Sequence, residues 1–146
     1  MINLNGTLFP QEKEILTADN RGLKYGDALF ETLRYVNGTL FFWEDHYFRL
    51  MASMRILRME IPMEFTLEFL EEEIKKTITA NDQEVGVARV RLTIFRNGGG
   101  LYAPATNEVS FLIETSVLES PFYLVNEDTY EVELFKDFYV NKDMLS

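Results

Sequence analysis

The chain has 146 residues, a formal net charge of -10 and no cysteine. An acidic balance with no basic patch excludes a surface built for nucleic-acid phosphates. Without cysteine there is neither a disulfide framework nor a thiolate metal site, which suits a reducing, cytoplasmic setting.

The apolar content is ample for one packed domain over residues 1–146. No apolar run approaches the roughly 18 to 20 residues needed to cross a bilayer. The opening MINLNGTLFP lacks the charged-then-apolar order of a secretory leader. A soluble protein that engages neither membrane nor nucleic acid is expected.

In chain order, residues 2–8 (INLNGTL) read as one short strand, and TADNRGLK (17–24) as a polar loop with turn chemistry at Asn20-Arg21-Gly22. Strands follow at about 28–36 and 39–43, joined at Asn37-Gly38. That dipeptide tolerates the positive φ of a two-residue hairpin turn. Residues 43–58 place Trp43, Tyr47, Leu50, Met51, Met54 and Leu57 at helical spacing. A second helix over 66–80 carries Leu67, Leu70, Ile74 and Ile78 inward, with acids early and Lys75 and Lys76 late, as the helix dipole favours. Residues 87–95 (VARVRLTIF) form a two-faced strand. After the Asn97-Gly98-Gly99-Gly100 break, 107–116 and 130–136 read as further strands. The order predicts an α+β fold: two layers, a mostly antiparallel sheet and two main helices.

The polar positions are more informative than the apolar ones. On 28–36, Phe30, Thr32 and Arg34 share one face, opposite Leu29, Glu31, Leu33 and Tyr35. On 87–95, Arg89, Arg91 and Thr93 oppose Ala88, Val90, Leu92 and Ile94. Such sets fit the wet side of a half-exposed sheet. Equally, two guanidiniums two residues apart can anchor a carboxylate, which Arg binds bidentately. His46, Arg49 and Ser53 flank the apolar stripe of the first helix, either as a solvated flank or with the arginine aimed at an anion. One histidine without a second ligand makes no metal centre. RNGGGLYAP is neither a P-loop nor a dinucleotide fingerprint; it is a flexible loop or a place where backbone approaches a ligand.

Taken in order, these segments resemble a known family. The run NRGLKYGDALFETLRYVNGTLFFWEDHYFRLMASMRILRMEIP, followed by VRLTIFRNGGGLY, is similar to the N-terminal domain of class IV aminotransferases, the pyridoxal-phosphate enzymes of fold type IV. The likeness lies in aromatic-Gly-Asp-x-x-Phe-Glu, a hairpin with a central Gly, then His-x-x-Arg-Leu, a small residue and Pro. It covers about residues 18 to 105.

The resemblance implies pyridoxal 5'-phosphate as cofactor, with its phosphate held by Arg49. It implies a substrate bordered by Tyr25, Phe30, Thr32, Arg34 and Arg91. It implies an amino acid or aminodeoxychorismate-like small molecule as ligand, and a homodimer. GGGLYAP lacks the arginine and histidine that D-amino-acid enzymes carry there, which points away from that subgroup. The family needs a lysine that forms a Schiff base with the cofactor. Lys136 and Lys142 do not match its position, which would fall past Ser146. The expectation is therefore the N-terminal lobe of a longer aminotransferase, inactive alone and holding no catalytic residue. A 4-amino-4-deoxychorismate lyase of the folate pathway and a non-catalytic binding or dimerisation module are the alternatives.

Overall fold

The computed structural model describes residues 1–123 and 129–134. Six strands, β1 (Ile2–Leu4), β2 (Thr7–Phe9), β3 (Ala28–Val36), β4 (Thr39–Leu40), β5 (Val87–Arg96) and β6 (Val109–Val117), form one sheet in the order β2-β1-β6-β5-β3-β4. Every neighbouring pair is antiparallel. The helices are α1 (Arg21–Tyr25), α2 (Trp43–Ile56) and α3 (Leu67–Ala80). The expected α+β architecture is present, and α2 and α3 lie on one face of the sheet.

Alternation decides which face. Leu33, Tyr35, Val90, Leu92, Ile94, Phe111 and Ile113 turn toward the helices and are buried. They meet Leu50, Met54, Leu70, Ile74 and Ile78 from the helix stripes. Each of these helical side chains contributes about 1.5–3 kcal/mol by leaving water. Thr66 caps α3, its hydroxyl accepting from the Phe69 N–H at 3.1 Å.

Four boundaries differ from expectation. Residues 2–8 are a hairpin rather than one strand, because Asn5 and Gly6 take φ of 49° and 81°, the same turn chemistry as Asn37-Gly38. The loop TADNRGLK contains most of α1: the Asn20 side chain accepts from Leu23 N–H, and Gly26 stops the helix in the left-handed region. β4 ends at Leu40, since Phe42 takes a positive φ and the chain enters α2. The strand expected over 130–136 does not form across 130–134, and residues 135 and 136 lie outside the described residues, as does Lys142.

Two consequences position the site. The face of the sheet away from α2 and α3 carries the polar sets. In addition, β3 pairs with β4 only at Tyr35 and Val36, so residues 28–33 have a sheet edge without a strand partner among the described residues. Open edges are normally covered or blunted in stable proteins.

Candidate functional site

Register aligns the open face into three rows across β3, β5 and β6. Phe30 stands beside Thr93 and Leu112, Thr32 beside Arg91 and Glu114, and Arg34 beside Arg89 and Ser116. The fold thus brings four of the expected substrate residues, Phe30, Thr32, Arg34 and Arg91, onto one surface. Phe30 is 53% exposed, and the Arg91 guanidinium stacks over its ring at 3.9 Å. Cation–π contact of this kind orients a guanidinium while leaving its edge N–H groups available. Arg34 is capped by the segment that follows β6: it donates to Ser120 O at 2.7 Å and lies over the Tyr123 ring at 4.1 Å. Its Nε is buried without a partner.

Tyr25 lies off this surface, at the end of α1. Its ring is 6.3 Å from that of Tyr102 in the glycine-rich loop, and the Arg21 guanidinium stands over it at 4.8 Å.

Arg49 sits on the other side of the sheet. It projects from α2 toward Glu31, which β3 turns inward beside Leu33. Arg49 Nε donates to Glu31 Oε1 at 2.8 Å, Nη2 reaches Oε2, and His46 Nδ1 lies 2.7 Å from Oε2. Glu31 is nearly buried at 7% exposure, whereas the Arg49 side chain is 60% exposed. Burial alone would raise the Glu31 carboxyl. Hydrogen bonds from Arg49 and His46 outweigh it and hold the group below the usual carboxylate range. In turn Glu31 pushes Arg49 further up, so its charge is permanent. Glu31 and His46 therefore fix the arginine, while Nη1 keeps both N–H groups free for an outside acceptor. The structure does not bring Arg49 into contact with the open-face set; the two groups lie on opposite sides of β3.

A second network was not anticipated. Asp27 accepts from Arg21 Nε at 2.8 Å and from Arg96 Nε at 2.9 Å. Both arginines are buried, at 3% and 5%. Arg21 also donates to the carbonyls of Gly99, Leu101 and Tyr102, and Arg96 to those of Leu57 and Arg58 and to Asn107 Oδ1. One carboxylate therefore ties α1, β3, the end of α2 and the glycine-rich loop together. Three carbonyls of that loop are thus bound by one buried guanidinium. At Gly100 (φ 77°) a Cβ would meet Ala103 O at 2.2 Å. Arg96 continues the inward set Val90, Leu92, Ile94, and Glu31 belongs to the inward set of β3. A charge at an inward position was the available signal for both. Nothing of that kind marked Arg21.

Among the described residues there is no group of side chains suited to hold a metal ion and no helix long and apolar enough to cross a membrane.

Residues 28–137 match the family described as Amino-transferase class IV. A D-alanine aminotransferase of Listeria monocytogenes is 29% identical over 62% of the chain and 30% of its own length. The branched-chain aminotransferase of the thermophilic archaeon Thermoproteus uzoniensis, solved with norvaline, has a TM-score of 0.68 and 26% identity, covering 80% of this chain and 40% of that one. The 4-amino-4-deoxychorismate lyase of Pseudomonas aeruginosa superposes with a TM-score of 0.61 at 28% identity, over 80% of this chain and 40% of its own. The chain thus spans well under half the length of these relatives. D-alanine enzymes stand among them, so the comparisons do not single out one subgroup.

Proposed function

The chain belongs to the class IV aminotransferases, and from that membership we propose that it forms the N-terminal lobe of a pyridoxal-phosphate enzyme that moves an amino group between an amino acid and a 2-oxo acid. The observation that carries the reading is Arg49: a permanently charged guanidinium held by Glu31 and His46, 60% exposed, with Nη1 unpaired among the described residues. A phosphate needs such a donor, held in one orientation at little entropic cost. The residues present therefore fit the phosphate end of the cofactor.

When bound, pyridoxal phosphate supplies the electron sink for chemistry at the amino carbon. This chain's own residues supply position. Arg49 anchors the phosphate so that the rest of the cofactor keeps one orientation. On the other face of the sheet, reached around the unpaired edge of β3, Arg91, steadied on Phe30, offers N–H donors to a substrate carboxylate, and Thr32 adds a hydroxyl beside it. Arg34, tethered to Ser120, lines the same surface. Tyr25, off that surface and paired with Tyr102 beside the loop that Arg21 holds, is proposed to border the substrate as well.

The remaining elements of the enzyme, its cofactor lysine included, are proposed to lie on a C-terminal lobe that packs over the unpaired edge of β3. Phe41, Phe42 and Phe48, all exposed, then become contact surface for that lobe or for the second subunit of a homodimer. A cytoplasmic location accords with the cysteine-free composition. Transamination is tested with the full-length protein, by following conversion of a 2-oxo acid to its amino acid in the presence of pyridoxal phosphate. The 146-residue chain alone is expected to be inactive. Borohydride reduction that traps a lysine-linked adduct needed for turnover by this chain would overturn that part.

The likeness to the Pseudomonas lyase favours a second reading, in which the same surface holds an aminodeoxychorismate-like molecule. Release of pyruvate without a 2-oxo acid acceptor distinguishes it.

A further inference from the structure

Arg21 has no part in the cofactor or substrate contacts proposed above, and at 3% exposure it is too deeply buried to touch a ligand. Yet four of its five N–H groups are engaged. Nε donates to Asp27, Nη1 to the carbonyls of Gly99 at 3.0 Å and Leu101 at 2.8 Å, and Nη2 to that of Tyr102 at 3.4 Å. The same guanidinium stands over the Tyr25 ring at 4.8 Å. One planar, always-charged fork therefore contacts both the Tyr25 ring and the backbone that carries Tyr102.

The sequence of the loop explains why such a grip matters. Gly98, Gly99 and Gly100 bring no side chains to pack, and Gly99 and Gly100 take φ of 108° and 77°. Glycine loses more conformational freedom on ordering than any other residue. The loop's own backbone adds two restraints: Ala105 N–H donates to Gly99 O at 3.3 Å, and Gly100 bridges to Pro104. Outward from this backbone stand Leu101, 74% exposed, and Tyr102, 92% exposed. The Tyr102 ring lies 6.3 Å from that of Tyr25. A loop gripped from within that displays a large ring outward fits a surface that meets a ligand.

We infer that Arg21 is a positioning residue for the proposed reaction: without touching the substrate, it sets Tyr25 and Tyr102 in one arrangement. The inference rests on the proposed function, in which Tyr25 borders the substrate, and it adds Tyr102 to that border. An incoming ligand then meets two rings already ordered, so their ordering entropy is not subtracted from binding. Lysine at position 21 would not serve, because a point charge on a flexible stem cannot span Asp27 and three carbonyls in one plane.

The test uses the full-length protein loaded with pyridoxal phosphate, with valerate as an unreactive probe titrated calorimetrically and cofactor retention read from absorbance of the same samples. Arg21→Gln and Tyr102→Ala should each weaken valerate binding about tenfold. The double variant should bind no more weakly than the weaker single, since both changes act through one ring. Ile74→Ala empties a fully buried position of α3; it should lower the unfolding temperature and leave valerate affinity unchanged. Effects that multiply in the double variant, or an equal loss of affinity in Ile74→Ala, would make Arg21 merely structural and overturn the inference. So would parent-like affinity in Tyr102→Ala. If Arg21→Gln does not fold, Gly100→Ala replaces it, because it keeps Arg21 and displaces the loop; parent-like affinity there overturns the inference too. All these outcomes leave the proposed function standing, whereas a parent protein that retains no pyridoxal phosphate or binds no valerate overturns both readings.

Discussion

Replacing Asp27 with alanine removes the one carboxylate shared by two buried arginines. Arg21 and Arg96 are 3% and 5% exposed, and Asp27 itself is 15% exposed. Breaking a buried pair by deleting one partner costs about 3–5 kcal/mol, because the remaining charge stays desolvated. Two charges are stranded here, yet each keeps carbonyl acceptors, so the same range is expected for the pair together. For a domain of this size each kcal/mol moves the melting temperature by about 2–4 °C, giving a fall of roughly 6–20 °C. Asp27→Asn keeps an acceptor oxygen and should lose about half as much. Exposed Glu114→Ala serves as a control, expected within about 0.5 kcal/mol. The pH dependence carries a definite sign. Burial would raise the Asp27 carboxyl, but hydrogen bonds from Arg21 and Arg96 outweigh it and depress it. A depressed carboxyl contributes fully above the unfolded value of about 3.9 and loses that contribution as pH falls through the folded value. The gap between parent and Asp27→Ala should therefore be constant near neutrality and close below about pH 4. Thermal and urea unfolding across pH measure both effects. A loss under about 1 kcal/mol, or a gap that widens in acid, would refute this role for the network.

Arg49→Ala strands the nearly buried Glu31, whereas Glu31→Gln leaves an arginine that is largely solvated. Arg49→Ala should therefore destabilise more, and urea unfolding of both singles and the double variant should give a coupling of about 1 kcal/mol; strict additivity would show that the pair does not interact. Gly100→Ala drives a Cβ to 2.2 Å from Ala103 O at a φ of 77°. It should cost about 1–3 kcal/mol and speed proteolysis between residues 97 and 105, an effect absent if the loop has another conformation. Phe30→Ala loses a half-exposed ring. It should change stability by less than about 1 kcal/mol while weakening carboxylate binding by releasing Arg91, which titration with valerate would reveal.

Much of the fold was legible because apolar periodicity and turn residues act locally. The two faces of β3 and β5, and the stripes of α2 and α3, follow from side-chain spacing alone. Asn5-Gly6 was readable too, but its flanking strands are three residues each, too short for alternation to separate one strand from two. α1 owes its existence to the Asn20 cap and the Gly26 stop, not to any stripe. Arg91 and Arg49 could be singled out as candidates from the sequence, one on the polar face of an alternating strand and the other on the flank of a helical apolar stripe. The site was illegible where meaning depends on distant partners: Arg21 gains its role from carbonyls about 80 positions away. The separation of Arg49 from the open-face residues likewise follows from tertiary placement, since the helix that carries it packs on the opposite side of β3.

The role of Arg49 is tested most directly by two ligands that differ by one phosphate. Equilibrium binding of pyridoxal phosphate and of pyridoxal is measured for the full-length protein and for Arg49→Gln. The parent is expected to prefer the phosphorylated form strongly, and the substitution to abolish most of this preference while leaving pyridoxal affinity unchanged. An undiminished preference in Arg49→Gln would place the phosphate elsewhere and contradict the role given to this arginine.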